Sequence, residues 1–247
     1  MKHALPLALA AAIVTTSALA PLGAKPAAPY AIAVASSERP EADKVRDADR
    51  KPGEVMAFAG IKPGLAVIEL APGGGYYTRL LSLALGPKGK LYPRGGRISP
   101  AVDEWAKGHA NTMPAVSSPD APLVATPVDV VWTTLNYHDF KNAKVGDKSL
   151  AEVTNAQAFA ALKPGGVYLI NDHAAAVGAP ADVTSTLHRI EEAVVIREVE
   201  AAGFKLEGKS AVLAHAPDDH TQKVFETGIR GKTDQFVLKF RKPKGKG

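Results

Sequence analysis

Apolar and polar positions fall into short alternating blocks along the chain. Leu65 to Leu70 is a nearly continuous apolar run, the form of a strand buried on both faces of a parallel sheet. Ala71-Pro72-Gly73-Gly74-Gly75 follows as a tight loop. A helix then opens near Tyr76, with Tyr77, Leu80, Leu81, Ala84 and Leu85 at the i, i+3, i+4 spacing of one buried stripe. Upstream, Glu41 to Arg50 is a charged, helix-prone run. Pro52 suits the first turn of a second helix, whose stripe is Val55, Met56 and Ala59 and which Gly60 can end.

Downstream, strands are expected at Lys90 to Tyr92, Leu123 to Thr126, Asp129 to Leu135, Val167 to Asn171 and Phe204 to Leu206. A last strand, Asp234 to Phe240, puts Phe236, Leu238 and Phe240 on one face. Helices are expected from Ser99-Pro100 through Trp105, over Leu150 to Leu162, and as one long helix over Ala181 to Ala202. Ala214 to Thr233 reads as a long polar loop. This strand–helix order predicts a parallel sheet covered by helices. Such sheets bind ligands beyond the carboxyl ends of their strands, where strand order reverses. The first strand and its glycine loop mark that point.

Met1-Lys2-His3 is a short positive start, and Ala4 to Ala20 is uncharged and rich in Ala and Leu. Ala18-Leu19-Ala20 has the small-x-small form of a signal-peptidase site. The Ala/Pro-rich stretch that follows reads as a spacer. The expected organisation is a signal peptide and flexible spacer over 1–35, one domain over 36–240 and a basic tail over 241–247, with a periplasmic or secreted mature protein. No later segment is apolar enough to span a membrane.

Composition narrows the chemistry. The 247 residues include no cysteine, which excludes disulfides, thiolate metal sites and a cysteine nucleophile. The net charge of +5 is concentrated at Lys239, Arg241, Lys242, Lys244 and Lys246. No aromatic stacking pattern accompanies these cations, so they read as a solvated tail and not as a nucleic-acid surface.

Glu69-Leu70-Ala71-Pro72-Gly73-Gly74-Gly75-Tyr76 resembles motif I of class I S-adenosylmethionine-dependent methyltransferases, an acidic residue at the end of the first strand followed by a glycine loop. Asp129-Val130-Val131-Trp132 is similar to that family's fourth strand, Leu162 to Leu169 to its turn and fifth strand, and Ala201-Ala202-Gly203-Phe204 to the link into its sixth. Arg50-Lys51-Pro52, Leu135-Asn136-Tyr137-His138-Asp139, Asp218-Asp219-His220-Thr221 and Arg230-Gly231-Lys232-Thr233-Asp234 resemble signatures of exported bacterial predicted methyltransferases. The resemblance implies a Rossmann-like α/β fold with a seven-stranded, mostly parallel sheet, an antiparallel last strand and helices on both faces. It implies S-adenosyl-L-methionine as cofactor, held by Glu69, Ala71, Pro72, Gly73, Gly74, Gly75 and Tyr76. The family's acidic residue after the second strand has no counterpart in Leu91-Tyr92-Pro93-Arg94-Gly95-Gly96-Arg97, and Asp120 is only a remote candidate at the adenine end.

The physics of the loop supports that reading separately. Glycines let backbone approach a ligand, and a helix N-terminus offers unpaired amides to a carboxylate or phosphate. Methyl transfer needs a positioned acceptor and a proton acceptor beside it. His138 is the candidate base, with Asn136 and Tyr137 to orient the acceptor and Asp139 beside them. Asp172, His173 and Asp218-Asp219-His220 fall on the same expected rim. That set lacks a compact metal-ligand spacing such as His-Glu-x-x-His, and no metal is assigned. His188, on the expected long helix, reads as packed or surface. Arg46, Asp47 and Arg50 either cap the cofactor pocket or form a salt-bridged, solvated face.

The expected function is methyl transfer to an unidentified small molecule. The alternative is an exported, non-catalytic binding protein with the same fold. A nicotinamide-dependent oxidoreductase fits less well, because the loop lacks the full Gly-x-Gly-x-x-Gly spacing.

Overall fold

The computed structural model describes residues 29–119 and 121–245. The expected signal peptide and Asp120 lie outside them. Four short helices come first: α1 Pro29–Ala35, α2 Glu41–Lys44, α3 Asp47–Arg50 and α4 Pro52–Ala59. Then β1 Ala66–Leu70, α5 Tyr76–Leu85, β2 Lys90–Gly95, α6 Pro100–Gly108, β3 Ala115–Val116 and β4 Val128–Thr134 build one half of a sheet. After α7 Tyr137–Asn142 and a small hairpin, β5 Lys144–Val145 and β6 Lys148–Ser149, come α8 Leu150–Ala161 and β7 Leu162–His173. The chain finishes with α9 Val183–Thr186, α10 Glu192–Ala201, β8 Lys205–Ser210 and β9 Gln235–Arg241.

The seven-stranded sheet has the order β3-β2-β1-β4-β7-β9-β8. Neighbours from β3 to β7 are parallel, and β9 runs antiparallel between β7 and β8. Strand order therefore reverses between β1 and β4, and the glycine loop leaves β1 at that switch point. The two sheet faces bury different clusters. Val67, Trp132, Leu169 and Val237 pack against α1, α4 and α5, whereas Ile68, Val131, Ile170 and Leu238 pack against α7, α8 and α10. Apolar runs such as Val67-Ile68 are continuous because both faces are covered. Among the described residues no helix is long and apolar enough to cross a membrane.

Local signals set several boundaries as expected. Pro52 stands at the start of α4, and Gly60 closes that helix at φ 77°. Ser149 and Glu152 form a reciprocal capping box that starts α8. Lys239 and Arg241 pair with Glu207, and Lys242 Nζ donates to the carbonyls of Phe159 and Leu162, so the first cations of the basic end are tied to the fold.

Three expectations are corrected. Leu123 to Thr126 is not a strand; the third strand is Ala115–Val116, and buried Leu123 instead gives its carbonyl to Arg94 Nε at 2.7 Å. The run Glu41 to Arg50 is two helices, with Asp43 and Asp47 turned inward onto Arg79 and Arg39 while Glu41 and Asp49 stay exposed. The long helix over Ala181 to Ala202 is broken between α9 and α10. Arg189 sits at the break: its side chain is fully buried, pairs with the buried Asp218 at 2.8 Å and donates to the carbonyls of Ala174 and Gln222. A continuous helix would not direct that guanidinium into the core while Ile190 bridges to the end of β7. His188, just before it, takes the left-handed φ of 55°.

Candidate functional site

The loop after β1 is shaped by three left-handed residues, Ala71 (φ 51°), Gly73 (φ 53°) and Gly75 (φ 83°). The Ala71 amide donates to the Arg94 carbonyl at 2.7 Å, and the Gly75 amide donates to the Pro72 carbonyl at 2.9 Å. Gly75 then caps α5 without any side-chain bond. The amides of Gly73 and Gly74 have no backbone acceptor among the described residues, and a Cβ on either would meet nothing within 4 Å. A Cβ on Gly75 would stand 2.9 Å from both Arg79 Nη1 and Val102 Cγ2. Gly75 thus serves the turn, while Gly73 and Gly74 face a cleft of about 150 Å³. Glu69, Tyr76, Asn136, Arg46 and Arg50 also line that cleft.

The cleft is electrostatically uneven. Glu69 is buried at the end of β1, and the Thr78 hydroxyl donates to its Oε2 at 2.5 Å. Burial pushes its carboxyl up to about 8, against the Thr78 bond and the Arg79 charge. Arg50 has no carboxylate within ion-pair distance among the described residues; its guanidinium lies 4.6 Å from the Tyr76 ring centre. Burial first, and then the charge of Arg46, push Arg50 below the usual guanidinium range. The two arginines reach the cleft because α2 and α3 are pinned over it. Asp43 accepts from Arg79 Nε at 2.6 Å. Asp47 takes a bidentate pair from Arg39 at 2.6 and 2.7 Å. The run is a solvated, salt-bridged face only in part: Glu41, Arg46 and Asp49 are exposed, but Asp43 and Asp47 grip the core, and Arg46 and Arg50 line the cleft.

A second cavity, about 570 Å³, adjoins through Arg46, Arg50 and Leu135, and His173, Phe225, Arg230 and Gln235 complete much of its wall. The His173 ring nitrogen Nδ1 lies 2.7 Å from the Thr233 hydroxyl. Burial pushes this imidazole down to about 4 despite Asp172, so it is neutral at pH 7.

The residues expected after β4 take separate roles. Asn136 lines the cleft and donates through Nδ2 to the carbonyls of Ala71 at 3.2 Å and Thr134 at 2.5 Å, which ties the two loops together. Tyr137 points the other way: its hydroxyl donates to Glu198 at 3.1 Å and accepts from Asn155 at 2.8 Å. His138 is 3 % exposed and lines neither cavity. Its Nδ1 meets Asp172 Oδ1 at 2.8 Å, and its amide donates to Asp172 Oδ2 at 2.8 Å. Burial alone would lower this imidazole, but the Asp172 charge and hydrogen bond outweigh it and raise it. Asp139 stands beside the ring nitrogen Nε2 at 3.5 Å. Asp218, Asp219 and His220 do not join this group. Asp218 holds Arg189 and the amides of His220 and Asp234, Asp219 caps Thr221, and His220 Nε2 pairs with Asp234 at 2.9 Å.

Across Ala71 from the glycine cleft lies a smaller cavity of about 140 Å³, walled by Gly95, Ser117, Leu123 and Phe140. Arg94, at the end of β2, is spent on backbone, with Nε and Nη1 donating to the carbonyls of Leu123 and Met113, each at 2.7 Å.

No family model matches the sequence, and no curated protein is similar to it at the sequence level. Solved structures are similar to its fold. A SAM-dependent methyltransferase from Aquifex aeolicus matches with a TM-score of 0.59 at 19 % identity, over 82 % of this chain and 95 % of that one. A S-adenosylmethionine-dependent methyltransferase from Clostridium acetobutylicum matches with a TM-score of 0.53 at 11 % identity, over 77 % and 88 %. The fold is that of the class I methyltransferases. The same fold also carries a 4+2 cyclase, SpnF, which matches with a TM-score of 0.57 at 14 % identity over 80 % of this chain and 82 % of that one. A methyltransferase fold therefore leaves the chemistry to the site.

On this methyltransferase fold, sequence reasoning missed Thr134 and Leu135 in the cleft wall. His188 is packed and partly exposed, as expected, with its ring edge-on to His138 at 5.4 Å between centres.

Proposed function

We propose that this chain is an S-adenosylmethionine-dependent methyltransferase of the periplasm or secreted fraction, acting on a small molecule. The observation that carries the reading is the composition of one cleft. A buried carboxyl (Glu69), two free-facing amides (Gly73 and Gly74) and two arginines (Arg46 and Arg50) meet within it. That set complements an α-amino acid. Glu69 suits an ammonium, while the amides and arginines suit a carboxylate. The cavity across Ala71 then accepts the flat adenine end between Leu123 and Phe140. S-adenosylmethionine supplies a methyl group on a sulfonium centre. The adjoining 570 Å³ cavity takes the acceptor, where neutral His173 offers a ring nitrogen to an acceptor hydroxyl or amine. Export rests on the charged start and small-residue end of residues 1–20.

One observation favours a second reading, a non-catalytic binding protein of the same fold. Where a ribose would lie, β2 ends in Arg94-Gly95, with no carboxylate and with Arg94 committed to backbone carbonyls. Calorimetry separates these readings. Binding of S-adenosylmethionine and S-adenosylhomocysteine, with none of NAD, supports the first; binding of neither sulfur nucleoside at millimolar concentration removes it.

A further inference from the structure

Behind the wall of the larger cavity, three side chains converge without being used by the reading above. Asp139 Oδ1 lies 3.5 Å from His138 Nε2 and 3.5 Å from His188 Nδ1. One donor atom from each residue falls within 4.8 Å of the other two. We infer that His138, Asp139 and His188 form a binding site for a divalent transition-metal ion of the Zn²⁺ class.

The two separations from Asp139 suit a metal better than a hydrogen bond. A tetrahedral ion with bonds of about 2.0–2.1 Å sets its ligands roughly 3.3–3.4 Å apart. A separation of 3.5 Å is long for a charge-assisted hydrogen bond, which prefers about 2.7–2.9 Å. The tautomer also suits one. Asp172, fully buried, accepts at 2.8 Å from His138 Nδ1 and is itself fixed by the amides of His138 and His173. With Nδ1–H given to Asp172, His138 directs Nε2 at the Asp139 carboxylate, the position that a proton or a metal cation can occupy between the two. A carboxylate behind the distal nitrogen of a ligating histidine is the usual outer shell of such sites.

His188 is presented by the break between α9 and α10. It holds a left-handed φ of 55°, and its ring packs against Phe225 with centres 4.8 Å apart. The buried Arg189–Asp218 pair next to it fixes that conformation. Two imidazoles and one carboxylate are borderline donors, so the set favours Zn²⁺, Co²⁺ or Ni²⁺ over Mg²⁺ and Ca²⁺. Asp139 and Asp172 together balance the charge of a divalent ion. The Asp139 side chain is half exposed, which leaves a fourth position open to water.

The test uses full-length protein without a polyhistidine tag, stripped with chelator. Co²⁺ is titrated by its visible absorption and Zn²⁺ by calorimetry, and melting is followed with and without Zn²⁺. The expected result is one equivalent bound, the intense visible bands of low-coordinate Co²⁺, and a Zn²⁺-dependent rise in melting temperature. His188→Ala and Asp139→Asn change partly exposed side chains and are expected to fold while losing all three signals. Asp172→Asn is expected to weaken binding by about 10- to 100-fold. No saturable binding, stoichiometric binding that survives in both His188→Ala and Asp139→Asn, or preference for Mg²⁺ would overturn the proposal. None of these readouts depends on methyl transfer.

Discussion

The Tyr76 hydroxyl donates to Asp47 Oδ1 at 2.7 Å, which joins the first residue of α5 to the short helix that carries Arg50. The same carboxylate takes both Nη atoms of Arg39, a side chain with no exposed surface. Asp47 is therefore the pin that holds the arginines over the glycine loop. Burial alone would raise its carboxyl, but the hydrogen bonds of Arg39 and Tyr76 outweigh that and lower it. Asp47→Ala leaves the Arg39 charge buried and unpaired, and should cost about 3–5 kcal/mol. Tyr76→Phe removes one hydrogen bond to a charged group and should cost about 1.5–3 kcal/mol. Denaturant melts of the two variants check the order; an equal or reversed pair would contradict this role for Asp47.

Glu69 makes the apo protein pH-dependent in a definite direction. Its folded carboxyl is raised from 4.5 to about 8, so the folded state keeps a proton that the unfolded state has released. That stabilisation is full below the unfolded value and is lost as pH rises through about 8. His138, also raised, slopes the same way, whereas His173, lowered to about 4, slopes the other way. The difference between wild type and Glu69→Gln isolates the Glu69 part. Wild type should lose stability relative to the variant between about pH 5 and pH 8. Parallel melting curves across that window would show that Glu69 is ionised in the folded apo protein.

The neighbouring glycines should separate stability from binding. Gly75→Ala puts a Cβ against Val102 and Arg79 at a left-handed φ of 83°, so it should destabilise the fold. Gly74→Ala puts its Cβ in open space facing the cleft and should leave the melting temperature nearly unchanged. Thermal melts of the two check this directly. A Gly74→Ala protein that unfolds as readily as Gly75→Ala would mean both glycines serve the turn.

Arg189 and Asp218 form a fully buried pair that organises the loop from Ala214 to Thr233. Arg189→Ala should cost about 3–5 kcal/mol and open that loop to limited proteolysis. Protection equal to wild type would show that the loop is held by other contacts.

How much of this was legible in the sequence follows the range of the interactions. β1, its loop and α5 could be read closely because their signals are local: an apolar run, a Pro-Gly-Gly-Gly turn, then a stripe at helical spacing. Of the loop's candidates, Glu69, Ala71, Pro72, Gly73, Gly74 and Tyr76 line one cleft, while Gly75 turns inward. The rest depended on partners far along the chain. Glu41 to Arg50 looks like a solvated charged face until Arg39 and Arg79 are placed beneath it. The break before His188 goes with a pairing across 29 residues, which helical periodicity cannot register. Tyr137 and His138 are adjacent, yet one faces α10 and the other Asp172, because they open α7 and successive helical residues point about 100° apart.

The central claim is that the exposed amides after β1 grip the amino-acid end of a sulfur nucleoside. Calorimetric titration of S-adenosylhomocysteine into wild type and Gly74→Val tests it most directly, with matched melting curves as the folding control. Saturable binding to wild type, weakened at least about tenfold in a variant that melts normally, is the predicted result. Equal affinity in the two proteins, or no binding to wild type, would contradict it.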